Sequence, residues 1–270
     1  MLGTIRRSAL LLAVLAAPVA VTSGAAPASA EVKTKTIEYK DGDTVLTGLL
    51  AWDDAMSGKR PGVLVVHEWW GLNDYAKSRA EKLAAEGYVA FALDMYGAGK
   101  VTDHPDQAGT WMKEITGNID TWTRRAQLGL DVLKSQDQVE SGDLAAIGYC
   151  FGGATVMQMA YNGAEVKAVA SFHGSLPPAP ESVTSIAPRV FVAHGRDDAF
   201  IPKERVLAFQ DGLDRVGATW DMTIYSGTRH GFTNPGAGVY GMENLQYNER
   251  ADKESWASMM LMFDEVLSGN

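Results

Sequence analysis

The ten residues LAAIGYCFGG, at positions 144–153, decide the fold of this chain. The first four are apolar and suit a strand buried on both faces, and residues 154–161 continue as a helix. Glycines two positions before and two positions after Cys150 allow a sharp turn from strand into helix, which lifts the central side chain above the sheet. The helix N-terminus just behind Cys150 favours a thiolate there. The segment therefore predicts a nucleophile elbow with cysteine at its tip.

The rest of the chain repeats this alternation of strand and helix. From Val63 onward the pattern predicts a mainly parallel sheet with helices on both faces, which is the α/β class. Residues 33–39 and 44–51 flank Lys40-Asp41-Gly42-Asp43 and predict an antiparallel hairpin at the sheet edge. Residues 234–241 contain proline and glycine and predict a surface loop. The other predicted elements are strands at 63–66, 89–93, 144–147, 166–172, 189–193 and 219–225, and helices at 73–86, 119–135, 154–161, 202–216 and 248–267.

A nucleophile elbow needs an acid and a histidine later in the chain, in that order. His230 lies in a loop after the last predicted strand, and Asp198 follows the strand before it. We predict that His230 holds Cys150 as an ion pair or accepts its proton, then delivers that proton to the leaving group, while Asp198 orients the imidazole. Asp197 is the alternative acid. We prefer Asp198 and expect the other carboxylate to cap the next helix.

With these three residues placed, the chain resembles the dienelactone hydrolase family. Two further segments carry the resemblance, His67-Glu68-Trp69-Trp70-Gly71 and Asp94-Met95-Tyr96-Gly97, each directly after a predicted strand. It covers residues 37–267. The resemblance implies an α/β-hydrolase fold, with a mainly parallel central sheet and an antiparallel N-terminal edge hairpin. It also implies a carboxylesterase or lactone hydrolase that works through a Cys-His-Asp triad and a thioester acyl-enzyme.

The resemblance implies roles for residues beyond the triad. Glu68 would contact the thiol in the resting enzyme and assist its deprotonation when substrate enters. The backbone N–H groups of Trp69 and Phe151 would form the oxyanion hole, and both lie where an α/β-hydrolase places its two donors. The alternatives are a solvated Glu68 and a His67 that only satisfies a backbone carbonyl.

Three aromatic residues complete the predicted site. We expect Trp70, Tyr96 and Phe232 to bind the substrate, with core packing as the alternative for the tryptophan. Two other histidines, His173 and His194, lie at strand ends and are expected to be structural, because one base suffices.

The expected substrate differs from the dienelactone itself. Family members that act on the dienelactone hold its carboxylate with arginines, one shortly after the tyrosine of the 94–97 segment and one shortly after the histidine. No arginine closely follows either landmark here. Lys100, Arg196 and Arg229 are candidate substitutes, but a lysine lacks the planar fork that grips a carboxylate through two bonds. We therefore expect a different, neutral substrate.

Residues 1–30 are predicted to be a signal peptide. Arg6 and Arg7 precede an apolar run at 9–21, and Ala28-Ser29-Ala30 forms a small-residue cleavage site before Glu31. An uncleaved membrane anchor is the alternative, although the uninterrupted run is shorter than the roughly 20 residues that a spanning helix needs. We expect an exported protein, periplasmic or secreted, with no stable membrane anchor after cleavage. Residues 31–270 are expected to form a single α/β-hydrolase domain.

Composition narrows the classes of partner and cofactor. The net charge of −9 argues against nucleic acid as a partner. The single cysteine rules out an intramolecular disulfide, and an exported protein rarely keeps an unpaired thiol. No metal or organic cofactor is expected, because zinc-ligand spacing and a phosphate-binding glycine loop are both missing from the sequence. The expected partner is a small-molecule ester or lactone, and the sequence does not indicate an oligomeric state.

A second hypothesis belongs to a different class of protein. A chain can keep this fold and lose its activity, since fold alone does not imply function. An oxidised Cys150 would have the same effect outside the cytoplasm. The alternative is therefore a catalytically silent binding or envelope protein.

Overall fold

A computed structural model describes residues 31–267, so the predicted signal peptide lies outside the described residues. The strands are β1 Val32–Asp41, β2 Thr44–Asp53, β3 Arg60–Val66, β4 Val89–Leu93, β5 Val139–Tyr149, β6 Ala168–Phe172, β7 Arg189–Gly195 and β8 Trp220–Tyr225. The helices are α1 Asp74–Ala85, α2 Pro105–Thr116, α3 Ile119–Lys134, α4 Phe151–Tyr161, α5 Lys203–Arg215 and α6 Glu249–Val266. A short 3-10 helix covers Ala237–Tyr240.

All eight of these strands form one sheet in the order β1-β2-β4-β3-β5-β6-β7-β8. Strands β3 to β8 pair in parallel. The pairings of β1 with β2 and of β2 with β4 are antiparallel. The predicted α/β-hydrolase class is thereby confirmed, including the N-terminal hairpin, whose strands join where Asp41 pairs with Thr44.

The central strands are apolar because both of their faces are covered. Every residue of β3 is buried, and its side chains alternate between two hydrophobic clusters. Leu64 and Val66 belong to the cluster that includes residues of α3 and α4, whereas Val63 and Val65 belong to the cluster that includes residues of α1 and α6. This two-sided burial is what a continuous apolar run in a parallel sheet predicts.

Three helices begin at an asparagine. The side chains of Asn73, Asn118 and Asn248 each accept a hydrogen bond from the backbone N–H three residues later, at 3.2, 3.0 and 3.1 Å. Such bonds satisfy N–H groups that have no partner inside the helix. They fix where α1, α3 and α6 start, close to the predicted boundaries.

The sequence prediction omitted helix α2, at Pro105–Thr116. Pro105 at its first position and Asp106 in its first turn are ordinary helix-start signals. Only Ala108 and Ile115 of this helix are buried, so it presents a narrow apolar stripe. α2 lies on the rim of the fold, where it borders the cavity described below.

The prediction of a surface loop at 234–241 was wrong in part. Asn234 and Ala237 are buried, and the ring of Tyr240 stacks on Trp70 with centroids 3.8 Å apart. Aromatic stacking and a buried amide therefore hold this segment against the molecule. The predicted start of one strand was also wrong: β5 begins at Val139, five residues before its predicted start.

Among residues 31–267, no helix combines the length and apolar character that a membrane span requires.

Candidate active site

Cys150 occupies the strained turn between β5 and α4. Its φ angle is +54°, a conformation that side chains other than glycine rarely adopt. A Cβ atom at Gly148 would collide with the carbonyl of Gly152, so the turn can close only with glycine there. The Cys150 N–H donates to the carbonyl of Phe172 at 3.0 Å. The elbow is therefore formed as the sequence predicts, and the half-buried thiol faces a cavity.

His230 and Asp198 lie together at the same edge of the sheet. The Nδ1 atom of His230 is 2.7 Å from Oδ2 of Asp198, and both side chains are buried. The other carboxylate oxygen of Asp198 accepts a hydrogen bond from the N–H of Phe200 at 3.0 Å. Asp197 is exposed, and its backbone N–H donates to Thr228. The structure therefore places Asp198, and not Asp197, in contact with His230.

The surroundings of His230 favour its charged form. Burial alone would lower the pKa of His230, but attraction to Cys150 and hydrogen bonds to Asp198 and Cys150 outweigh burial and raise the pKa well above 6.5. Because Nδ1 is engaged by Asp198, Nε2 is the ring nitrogen left to interact with the sulfur. His230 therefore contacts Asp198 directly and interacts with Cys150, with which it shares the cavity wall.

Glu68 is buried after β3, and its carboxylate is held by Asn234. The Nδ2 group of Asn234 donates to Oε2 of Glu68 at 2.8 Å. Among residues 31–267, no hydrogen bond joins Glu68 to the Cys150 thiol, the contact that the family resemblance implies. Burial raises the pKa of Glu68 to about 7, although the Asn234 hydrogen bond and the charges of His230 and Arg79 oppose that rise. Glu68 can therefore gain or lose a proton near neutral pH.

Replacing Glu68 by glutamine should change how stability depends on pH. Burial raises the Glu68 pKa in the folded chain from 4.5 to about 7. Between these two values the unfolded chain releases the proton while the folded chain retains it, so stability is lost as pH rises through this window. The loss reaches roughly 3 kcal/mol at pH 8. Glutamine does not ionise, so Glu68→Gln should escape this loss. The unfolding free energy of Glu68→Gln minus that of the wild type should therefore rise by about 3 kcal/mol from pH 4 to pH 8.

Denaturant unfolding at the two pH values measures this difference. Glu81→Gln, at an exposed position of α1, is the matched control and should leave the pH dependence unchanged. Parallel curves for the wild type and Glu68→Gln would show that the Glu68 pKa is not raised.

His67 stabilises the backbone beside Glu68. Its Nε2 atom accepts a hydrogen bond from the N–H of Met95 at 3.1 Å, so the proton lies on Nδ1 and is donated to the carbonyl of Glu68. Burial lowers the pKa of His67, which agrees with a neutral ring. His67 therefore satisfies a backbone carbonyl, the alternative considered for it from the sequence, and it fixes the peptide that leads into Trp69.

A second polar layer anchors the loop that carries His230. His173, at the end of β6, makes a 2.8 Å hydrogen bond to Oγ1 of Thr233. The buried guanidinium of Arg79 donates to the carbonyl of Thr233 and pairs with Asp252 at 2.9 Å. These contacts connect the His230 loop to β6, α1 and α6. His173 thus has the structural contact expected of it.

The cavity in front of Cys150 is predominantly apolar. Its volume is about 260 Å³, near the lower end of the range for small-molecule sites. Residues from several separate segments form its wall, including α2, α3 and the turn before α5. The lining residues are Trp69, Met112, Thr116, Trp122, Cys150, Phe151, Ala154, Ser175, Phe200, Ile201, His230 and Leu245.

The three aromatic residues predicted to bind substrate do not line this cavity. Trp70 is buried beneath Tyr240, and Phe232 is fully buried in the cluster on the α1 and α6 side of the sheet. Tyr96 is buried against His67 and stacks on the ring of Phe151. Their side chains are buried and lie outside the lining of this cavity, so their contact with substrate has no support from the cavity and stays a prediction.

Several residues that the sequence analysis did not name line the cavity or contact Glu68. Met112 and Thr116 come from the omitted helix α2, and Leu245 comes from the segment before α6. Asn234, which holds Glu68, follows His230 by four residues. The start of α2 was readable from Pro105, whereas no local pattern marks Asn234 as a partner of Glu68.

Within residues 31–267, no group of three or more His, Cys, Asp or Glu side chains is placed to hold a metal ion.

Comparisons with known proteins agree with this architecture. The sequence model of the dienelactone hydrolase family matches residues 46–267. The chain is 30% identical to protein usf of Aquifex pyrophilus over 77% of this chain and 89% of that protein. It is 31% identical to a provisionally assigned carboxymethylenebutenolidase of Aquifex aeolicus, over 64% of this chain and 77% of that protein. The crystal structure of a dienelactone hydrolase-like promiscuous phosphotriesterase from metagenomic libraries has a TM-score of 0.85 and 37% identity, covering 88% of this chain and 99% of that one.

Proposed function

Because the chain belongs to the dienelactone hydrolase family, we propose that it hydrolyses a carboxylic ester or lactone through Cys150, His230 and Asp198. The observation that carries this proposal is the 2.7 Å contact between Asp198 and His230, together with the position of His230 and Cys150 at the wall of the same apolar cavity. A nucleophile, its base and an orienting acid within reach of one another are what covalent acyl transfer requires.

The first half-reaction forms the acyl-enzyme. The Cys150 thiolate attacks the carbonyl carbon, and the carbonyl oxygen becomes an oxyanion in a tetrahedral intermediate. As the intermediate collapses, the bond to the leaving oxygen breaks, and the charged His230 ring gives its Nε2 proton to the departing alkoxide. The products are an alcohol and a thioester on Cys150. For a lactone the alcohol stays attached to the acyl group.

The second half-reaction restores the enzyme. Neutral His230 takes a proton from water, and the resulting hydroxide attacks the thioester carbonyl. The carbon–sulfur bond breaks, which releases the acid and returns Cys150 to the thiolate beside a protonated His230. Asp198 remains charged throughout, because it holds Nδ1 and stabilises the imidazolium without accepting its proton.

Two backbone donors are available for the oxyanion. The N–H of Phe151 is the first of helix α4, and the first four N–H groups of a helix have no partner within it. The N–H of Trp69 makes no hydrogen bond to another group in residues 31–267. Both residues line the cavity beside Cys150, as an oxyanion hole requires.

Glu68 can assist only if it moves. A role in drawing the proton from the Cys150 thiol requires the carboxylate to leave Asn234 and approach the sulfur. The raised pKa of Glu68, about 7, suits a group that takes up a proton near neutrality. We propose Glu68 as an auxiliary base, secondary to His230, that acts on molecules in which Cys150 still carries its proton.

The proposal is tested by ester turnover and alkylation. The purified protein should hydrolyse 4-nitrophenyl acetate, and iodoacetamide should abolish that activity as one carboxamidomethyl group adds to Cys150. A 4-nitrophenyl ester present during alkylation should slow the loss, because substrate and reagent compete for the same sulfur. The chain has a single cysteine, so the mass increase assigns the label to Cys150.

The same experiment separates an enzyme from a catalytically silent binding protein. Full activity after complete alkylation would show that Cys150 is not the nucleophile. Absence of turnover for a panel of esters and lactones, with the thiol reduced, would favour the binding protein instead.

A further inference from the structure

The cavity in front of Cys150 offers no charge to a substrate apart from its own nucleophile and base. Twelve residues line it, and Cys150 and His230 are the only ones among them with side chains that ionise. The remainder are apolar or carry a hydroxyl group. Rings cover much of the wall: Trp122 stacks on Phe151 with centroids 6.0 Å apart, and Phe200 meets His230 edge to face at 5.2 Å.

The cations that could have faced this cavity lie elsewhere. Lys100 borders two other clefts and lies over the ring of Trp111 at 5.9 Å. The guanidinium of Arg229 donates to the carbonyl of Glu243 at 2.7 Å and lies 3.7 Å from its carboxylate. Arg196 is exposed and does not line the cavity. None of the three is placed to pair with an anionic substrate.

The buried cation behind the site is already engaged. Arg79 donates to the Thr233 carbonyl and pairs with Asp252 at 2.9 Å. The nearby carboxylate of Glu68, with a pKa of about 7, is increasingly ionised above neutrality. An acidic substrate would therefore lose its water shell in this cavity, where the charged ring of His230 is the only cationic lining group and is already paired with Asp198 and Cys150.

We propose that the substrate is a neutral ester or lactone with an apolar acyl group, and that the cavity excludes substrates carrying a free carboxylate. This inference rests on the ester or lactone hydrolysis proposed above. Apolar contact with Trp69, Met112 and Phe151 binds the acyl group, while the missing counter-charge discriminates against acids. Met112 and Thr116 line the cavity from helix α2 and belong neither to the elbow nor to the oxyanion donors nor to the His230 loop, so they can be changed without altering those groups.

Two esters of matched length test the discrimination. The pair is 4-nitrophenyl heptanoate and mono-4-nitrophenyl adipate, which differ in a terminal carboxylate. At pH 7.5, with spontaneous hydrolysis subtracted, we expect kcat/KM for the heptanoate to exceed that for the adipate by at least about 100-fold. The ratio should persist at high salt, since a desolvated charge is screened much less than an exposed one.

A cation introduced on α2 should restore turnover of the ester that carries a carboxylate. Relative to the uncharged control Met112→Gln, Met112→Arg is expected to raise kcat/KM for the adipate by about tenfold or more, and so to lower the ratio of heptanoate to adipate turnover. Thr116→Lys, with Thr116→Gln as its control, repeats the test one helical turn away if the first variant does not fold.

The outcomes distinguish this inference from the proposed function. Rates within tenfold of each other for the two esters in the wild type would overturn the inference and leave ester hydrolysis intact. Equal gains from Met112→Arg and Met112→Gln would also overturn it. Failure to hydrolyse any ester would overturn the proposed function and the inference together.

Discussion

Cys150→Ala is expected to lower kcat for ester hydrolysis by at least about 10⁴-fold, the scale on which removal of a triad nucleophile acts in other hydrolases. Without the sulfur no thioester can form, and His230 has no thiol to hold. What remains is the binding of the ester in the cavity and the two backbone donors, which accelerate attack by water only weakly. Steady-state kinetics with 4-nitrophenyl acetate measure the loss.

The fold should tolerate this change. Alanine has the same Cβ atom and so meets the same strain at a φ of +54°, and the removed sulfur belongs to a half-buried side chain at the cavity wall. The unfolding free energy is expected to stay within about 1 kcal/mol of the wild type. A loss of activity accompanied by normal stability assigns the effect to chemistry.

Ser175→Ala is the matched control for the nucleophile. Ser175 also lines the cavity, and its hydroxyl is the alternative nucleophile there. Its replacement should leave kcat within about twofold, as surface-accessible positions without a catalytic partner usually do. If Ser175→Ala lost the activity and Cys150→Ala kept it, the assignment of the nucleophile would be wrong.

Local sequence patterns were sufficient to predict the central strands and the turn that holds Cys150. The apolar run at 89–93 is a strand with the same bounds in the structure, because a strand buried on both faces has a composition unlike any loop. The glycines around Cys150 indicated the elbow, because a Cβ in place of either one would collide with backbone. Strand order and chain order then placed His230 and Asp198 at the same edge of the sheet.

Side-chain direction was not predictable in the same way. Tyr96 and Phe232 stand beside the motifs, yet both turn into the protein, and whether a ring packs inward depends on neighbours distant in sequence. The partner of Glu68 is a further example. Asn234 reaches it only because the segment after His230 folds back beside β3, and separation of 166 residues hides that contact from any local pattern. Helix α2 differs from both cases, since Pro105 and Asp106 mark its start in the sequence itself.

Asp198→Asn should lower kcat by about 10³ to 10⁴-fold, as loss of the orienting acid does in other triads. Asp198 accepts a hydrogen bond from Nδ1 of His230 at 2.7 Å, and this bond helps to raise the His230 pKa well above 6.5. An amide at this position removes the charge that stabilises the imidazolium and can present an N–H that favours the wrong tautomer. The His230 pKa should fall, so the alkaline limb of the pH dependence of kcat/KM, where the charged ring loses its proton, should move to lower pH.

Asp197→Asn is the matched control, one residue away and identical in chemistry. Asp197 is exposed, and its recorded hydrogen bond to Thr228 uses the backbone N–H, which the substitution preserves. Its activity and pH profile should therefore match the wild type within about twofold. A larger loss from Asp197→Asn than from Asp198→Asn would reverse the assignment of the acid. If both variants lost only a small and equal share of activity, His230 would work without a carboxylate. Its ring would then be oriented by its contacts with His173 and Phe200 alone.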